Sequence, residues 1–214
     1  MRNLFSLESP LMTALGTLAD LVFCNVLFCV LSLPLFTVGA SLTALYDCTL
    51  SIVEQREESL MILQFWKAFR RDFKRGTALG LICMAVFALL WGYYAAVDTL
   101  SGGLQRTYRI TFLVLAFLWL AVFQYIFPLQ AKFRMNVGRT LKTAALLSAA
   151  ALPWTLASLA VTVGAVYLSF FLNPDGAGIA AFLWFVAIFA VVAYLNSFFF
   201  RQAFKRLVTE QDET

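Results

Sequence analysis

Histidine is absent from the 214 residues, which removes imidazole acid–base chemistry, histidine triads and histidine metal sites from consideration. Charge is scarce: 13% of residues are charged, against about 25% in an ordinary globular domain. No P-loop, dinucleotide fingerprint, zinc motif or nucleophile elbow occurs. The chain is therefore read as no enzyme, with no cofactor and no metal. Cys24, Cys29, Cys48 and Cys83 all lie inside apolar runs, as small buried hydrophobes do, rather than in the loops of a disulfide-bonded secreted domain. Polar blocks long enough for a second domain are also missing, so residues 1–214 are expected to form a single integral membrane domain.

What is present is apolar. The sequence is 62% hydrophobic and 16% aromatic, with 22 phenylalanines. The stretch that organises the rest is residues 11–53, in which Asp20 and Asp47 are the only charges. About 20 apolar residues cross a bilayer, so this stretch holds two passes. Its middle, from Ser32 through Pro34 to Gly39, carries the residues a reversal uses. The expectation is a hairpin turning at Pro34 and Gly39. Its first helix runs from Pro10 to about Ser32, and a short second one covers about Ser41 to Glu54.

Further spans follow over Gly76 to Val97, Ile110 to Ala131, Thr143 to Leu172 (kinked near Pro153) and Ile179 to Phe200. The fold class expected is an all-α polytopic transmembrane bundle of six helices. Five full spans plus a re-entrant second helix is the alternative. Met1 to Ser9 reads as an amphipathic surface lead with no signal peptide, and Asn173 to Gly176 as a turn.

The formal charge is +4, yet nucleic acid is not the expected partner. The basic residues sit in short blocks between spans, as in cytoplasmic loops that meet anionic lipid. Segments 54–75, 132–142 and 201–206 hold most of the Lys and Arg, whereas 98–109 holds two and 173–178 none. The positive-inside rule puts the first set, and the C-terminus, on the cytoplasmic side of a bacterial plasma membrane. Within the first block, Leu60 to Arg75 has helical periodicity. Phe65, Trp66, Phe69 and Phe73 are expected on an aromatic face, and Lys67, Arg70, Arg71 and Lys74 on a basic one. Such a helix suits an interfacial anchor or a partner-docking surface.

Intramembrane carboxylates are functional suspects because hydrocarbon penalises them. With the tip near Phe36, Asp20 lies roughly 24 Å below it and Asp47 roughly 16 Å, at helical rise, so Asp47 is the stronger candidate. Asn25, Tyr46 and Asn196 are candidates to hydrogen-bond either acid or a polar ligand. The bland alternative for all five is interhelical pairing. Gly76 and Gly80 match the small-xxx-small packing pattern.

The opening LFSLESPLMTALGTLADLVFCNVLFCVLSLPLFTVGASLTALYDCTL, then FWKAFRRDFKRGTALGL and LPWTL at Leu152 to Leu156, resembles the YesL-like integral membrane proteins of Gram-positive bacteria. SLPLFTVGASLTALY is the most specific part. The resemblance implies an accessory role beside carbohydrate ABC importers, with permease subunits as partners, and supplies no catalytic residues. From another class, an independent small transporter or channel with Asp47 lining its path is the second reading.

Overall fold

The computed structural model describes residues 10–56, 60–97, 103–170 and 177–212. The expected amphipathic lead, the turn at Asn173 to Gly176 and residues 98–102 lie outside these residues, while 103–109, expected as loop, are the first turns of a helix. Helices account for nearly all of what is described: α1 (Pro10–Leu31), α2 (Val38–Val53), α3 (Met61–Val97), α4 (Gly103–Phe133), α5 (Val137–Ala150), α6 (Leu152–Phe170), α7 (Ala177–Leu183) and α8 (Phe189–Asp212). A π-helical segment, Trp184–Ile188, joins α7 to α8 without leaving helical dihedrals at either junction. The all-α bundle is as expected, and six helices are long and apolar enough to cross a membrane.

The hairpin reverses more tightly than its composition suggests. A short 3-10 turn, Leu35–Thr37, follows Pro34. The Thr37 hydroxyl donates towards the Leu31 and Pro34 carbonyls, at 2.5 and 2.6 Å, satisfying acceptors that the end of α1 leaves open. Gly39 is not in the turn. It lies in the first turn of α2 and is used for packing. A Cβ there would stand 2.1 Å from the Gly76 carbonyl oxygen and 2.7 Å from the Gly80 Cα. Between lipid-embedded helices, close backbone approach supplies the dispersion attraction that water-driven burial supplies elsewhere.

That contact explains why a 16-residue helix sits stably inside the bundle. α2 touches α1, α3, α4 and α8. Of the Leu35–Val53 window, 72% is buried, against 11–28% for the other five apolar helices. One face packs with Leu21, Cys24, Phe28 and Phe65, the other with Leu79, Tyr125, Leu129 and Phe200. Neighbouring helices, not lipid, solvate α2. It ends at a left-handed Gln55 (φ 52°), where the Arg56 N–H reaches back to the Ser51 carbonyl at 3.0 Å, a Schellman-type stop.

Two expected boundaries are corrected. The amphipathic segment 60–75 and the span after it are one uninterrupted helix of 37 residues, about 55 Å long at 1.5 Å per residue and so longer than a hydrocarbon core of about 30 Å. Gly76 packs against Ala40 and does not break it. Conversely, Thr143 to Leu172 is not one kinked helix: the chain leaves helical geometry at Ala151 (φ −110°, ψ 38°). Pro153 then falls in the first turn of α6, where its missing N–H has no helical acceptor to serve.

Candidate functional site

Charged groups meet where the first half of α3 lies along α2. Asp47 projects from the middle of α2 and is buried. An Arg71 Nη2 donates to its Oδ1 at 3.1 Å, and Gln64 Nε2 approaches its Oδ2 at 3.3 Å. Gln64 also donates to the Ser51 hydroxyl at 2.6 Å, which in turn donates to the Asp47 carbonyl at 2.8 Å. Arg71 is shared: its Nε lies 2.9 Å and its Nη2 2.8 Å from Asp72 Oδ2. One guanidinium thus serves two buried carboxylates. That arrangement makes Asp47 the anchor of an interhelical ion pair.

Beside this triad a cavity of about 700 Å³ opens, lined by Phe69, Arg70, Arg71, Asp72, Phe73, Lys74, Arg75 and Arg134. Arg75 Nη1 donates to the Arg134 carbonyl at 2.6 Å, tying the α4–α5 junction to α3. A second ionic cluster closes the same end of the bundle: Lys132 meets Glu54 at 2.5 Å, and Glu54 also takes Arg56. Arg201 on α8 donates to the Val53 carbonyl at 3.2 Å. Glu54 follows the span, and its pKa shows the balance of forces. Burial pushes it up, but hydrogen bonds and charge from Lys132 and Arg56 outweigh this and hold it below its usual value.

The aromatic face expected on the 60–75 segment is a core face at Phe65 and Phe69, which are buried against α1 and α2 rather than presented to lipid or a partner. Phe73 is half-buried. Trp66, Lys67, Arg70, Arg71 and Lys74 are all exposed, and Arg71 also reaches Asp47 with its guanidinium. The five polar candidates do not form one site. Asn25 binds the π segment of the last helix, through Trp184 and Phe185. Asn196 donates to the Thr162 hydroxyl at 2.9 Å. Tyr46 packs its ring edge-on to Phe200 and shares a side-chain hydrogen bond with Asn196, so these two of the five do meet. Asp20 is half-buried on α1 with no ion pair among the described residues.

Gln64, Ser51, Asp72, Arg75 and Arg134 are the members of the site that sequence reasoning missed. The first and third had a usable signal. Gln64, Ala68 and Asp72 recur at four-residue spacing, on the face that also carries the buried Phe65 and Phe69, so polar groups on a core-facing stripe announce partners. For Arg134, placed by a junction 59 residues away from Arg75, there was none.

Residues 21–93 match the family described as "Protein of unknown function, DUF624". That segment carries Asn25, Gly39, Asp47, Gln64 and Arg71, the parts that lock α1, α2 and α3 together. The chain is also similar to the uncharacterized protein YteU of Bacillus subtilis (strain 168), with 26% identity over 141 residues. The match takes in 66% of this chain and 63% of that relative's length. No solved structure matches.

Proposed function

We propose that this multi-pass protein is an accessory subunit of a carbohydrate ABC import system, with its basic end in the cytoplasm, working by contact with permease helices in the bilayer. The resemblance of SLPLFTVGASLTALY to the YesL-like proteins supports the substrate class. The observation that carries the mode of action is the pairing of three interior polar side chains with other helices: Asp47 is held by Arg71 and Gln64, Asn25 by the π segment, and Asn196 bonds Thr162. Polar side chains engaged with one another in this way brace the helices, and what such a bundle offers to others is its outer surface. Co-purification of the tagged protein from native membranes in mild detergent tests this. Permease subunits in the eluate support it, and a clean monomer at native expression overturns it.

The second reading, a small transporter or channel working through Asp47, rests on the burial of that carboxylate in the bundle. It needs Arg71 to release Asp47 during each cycle. Proteoliposomes carrying Asp47→Asn test it: an ion-coupled flux must be abolished while the fold is kept.

A further inference from the structure

The cavity beside Arg71 has a charge balance that its own bundle does not close. Five cations, Arg70, Arg71, Lys74, Arg75 and Arg134, face or adjoin it, and the carboxylates within reach are Asp47 and Asp72, both engaged by Arg71. Arg70, Lys74, Arg75 and Arg134 have no acidic partner among the described residues. Arg70 and Lys74 are four residues apart on one helix, as are Arg71 and Arg75, and like charges at that spacing repel.

Arg134 adds a backbone cost. It sits at φ 50°, immediately after α4, with its N–H on the Gln130 carbonyl at 3.0 Å. This is the left-handed cap position that glycine occupies without strain, and it sets the Arg134 side chain beside the cavity. Beside the basic residues, its lining takes in Phe73, which is half-buried, and Phe69, which is mostly buried in the core. At about 700 Å³ it exceeds what a bare oxyanion fills.

We infer that this cavity is a binding site for a phosphate group, the phosphomonoester headgroup of an anionic lipid or free phosphate. Arginine forks match phosphate oxygens, and the exposed part of Phe73 suits the glycerol and upper acyl chain. The inference rests on the cavity alone and is independent of any permease partner.

The test uses the full-length protein in neutral detergent, with lipid retention read by native mass spectrometry and affinity by titration. Probes are phosphatidic acid, phosphatidylcholine and inorganic phosphate. Wild type is expected to retain phosphatidic acid over phosphatidylcholine. Arg134→Gly removes a cation while relieving the backbone, and Arg70→Gln with Lys74→Gln removes two exposed ones. Each cation lost is expected to weaken phosphatidic acid binding about fivefold, in line with the contribution of a basic residue at an anionic surface. Saturable inorganic phosphate binding lost in the same variants would identify free phosphate as the ligand, and binding of phosphatidic acid alone would identify the lipid. No preference over phosphatidylcholine together with no phosphate binding, or unchanged affinities in the folded Arg134→Gly protein, would overturn the site.

Discussion

The side-chain oxygen of Asn25 accepts the backbone N–H of Ala190 at 2.8 Å. Its amide nitrogen meanwhile donates to the carbonyls of Trp184 and Phe185, at 3.0 and 2.6 Å. A π segment shifts helical hydrogen bonding from i−4 to i−5 and leaves backbone groups short of partners, which hydrocarbon does not forgive. One side chain on α1 supplies them on the last helix. Asn25→Leu is expected to destabilise the bundle by about 2 kcal/mol, from interhelical bonds of roughly 0.6–1.7 kcal/mol each. Asn25→Asp should be worse, because a carboxylate in place of the amide faces two carbonyls. Thermal unfolding in detergent checks both, and an unshifted midpoint for Asn25→Leu would remove the clamp.

Gly39 and Gly16 make a matched pair. A Cβ at Gly39 meets backbone atoms of Gly76 and Gly80 within 3 Å, whereas one at Gly16 meets nothing within 4 Å. Backbone cannot swing aside as a flexible side chain does, so Gly39→Ala must push α2 away from α3, at a cost of about 1–3 kcal/mol for overpacking. Gly16→Ala should leave the midpoint unchanged or raise it slightly, since alanine is the better helix former. Equal effects from the two substitutions would contradict the close approach.

The shared guanidinium makes the ion-pair substitutions unequal. Asp47→Asn leaves Arg71 with Asp72 and keeps an acceptor facing Gln64, so about 1 kcal/mol is expected. Arg71→Gln strands two buried carboxylates. Losing a buried partner costs roughly 3–5 kcal/mol, discounted to about 3 because the Arg71 side chain is 35% exposed. A double-mutant cycle measures the coupling. A larger loss for Asp47→Asn than for Arg71→Gln would rule out the arrangement.

This inequality also shows where sequence reading stops. The apolar spans were legible because lipid imposes length and charge limits on any crossing helix, and Asp47 stood out because acids are rare there. Arg71 reads as one more cation on a basic face. Its pairing with Asp47 depends on where α2 lies, which no local pattern encodes. The π segment has no signature of its own, since its stabiliser, Asn25, is 159 residues away from Trp184. The break at Ala151 was hidden by uncharged sequence on both sides, which looks the same whether one helix or two pass through it.

Glu54 ties stability to pH. Its folded pKa lies below the usual 4.5, because Lys132 and Arg56 outweigh the effect of burial. The stabilisation is therefore complete above about pH 4.5 and is lost as pH falls through the lowered folded value. A partly exposed pair of this kind is worth about 0.5–1 kcal/mol. Wild type should unfold at a higher temperature than Glu54→Gln near neutrality, and the gap should close as pH falls through the lowered folded value. A gap that persists in acid would mean that Glu54 acts through packing and not charge.

The path of α2 across the membrane is measurable by cysteine labelling in a protein freed of Cys24, Cys29, Cys48 and Cys83. Ser41 and Ser51 look like natural reporters, but both are fully buried, and an aqueous maleimide would miss them whichever side they occupied. Leu33 is better placed, at the hairpin tip and 80% exposed. Lys67, exposed near the start of α3, reports the basic end. If α2 completes the crossing, Leu33→Cys reacts with an impermeant reagent added outside intact cells, and Lys67→Cys reacts only after permeabilisation. A re-entrant α2 would return the tip to the basic side, and both positions would then be shielded until the membrane is opened. Opposite accessibility is the expected result, because α2 runs beside α4 and α8 inside the bundle, where its 16 residues need no lipid contact to cover the distance.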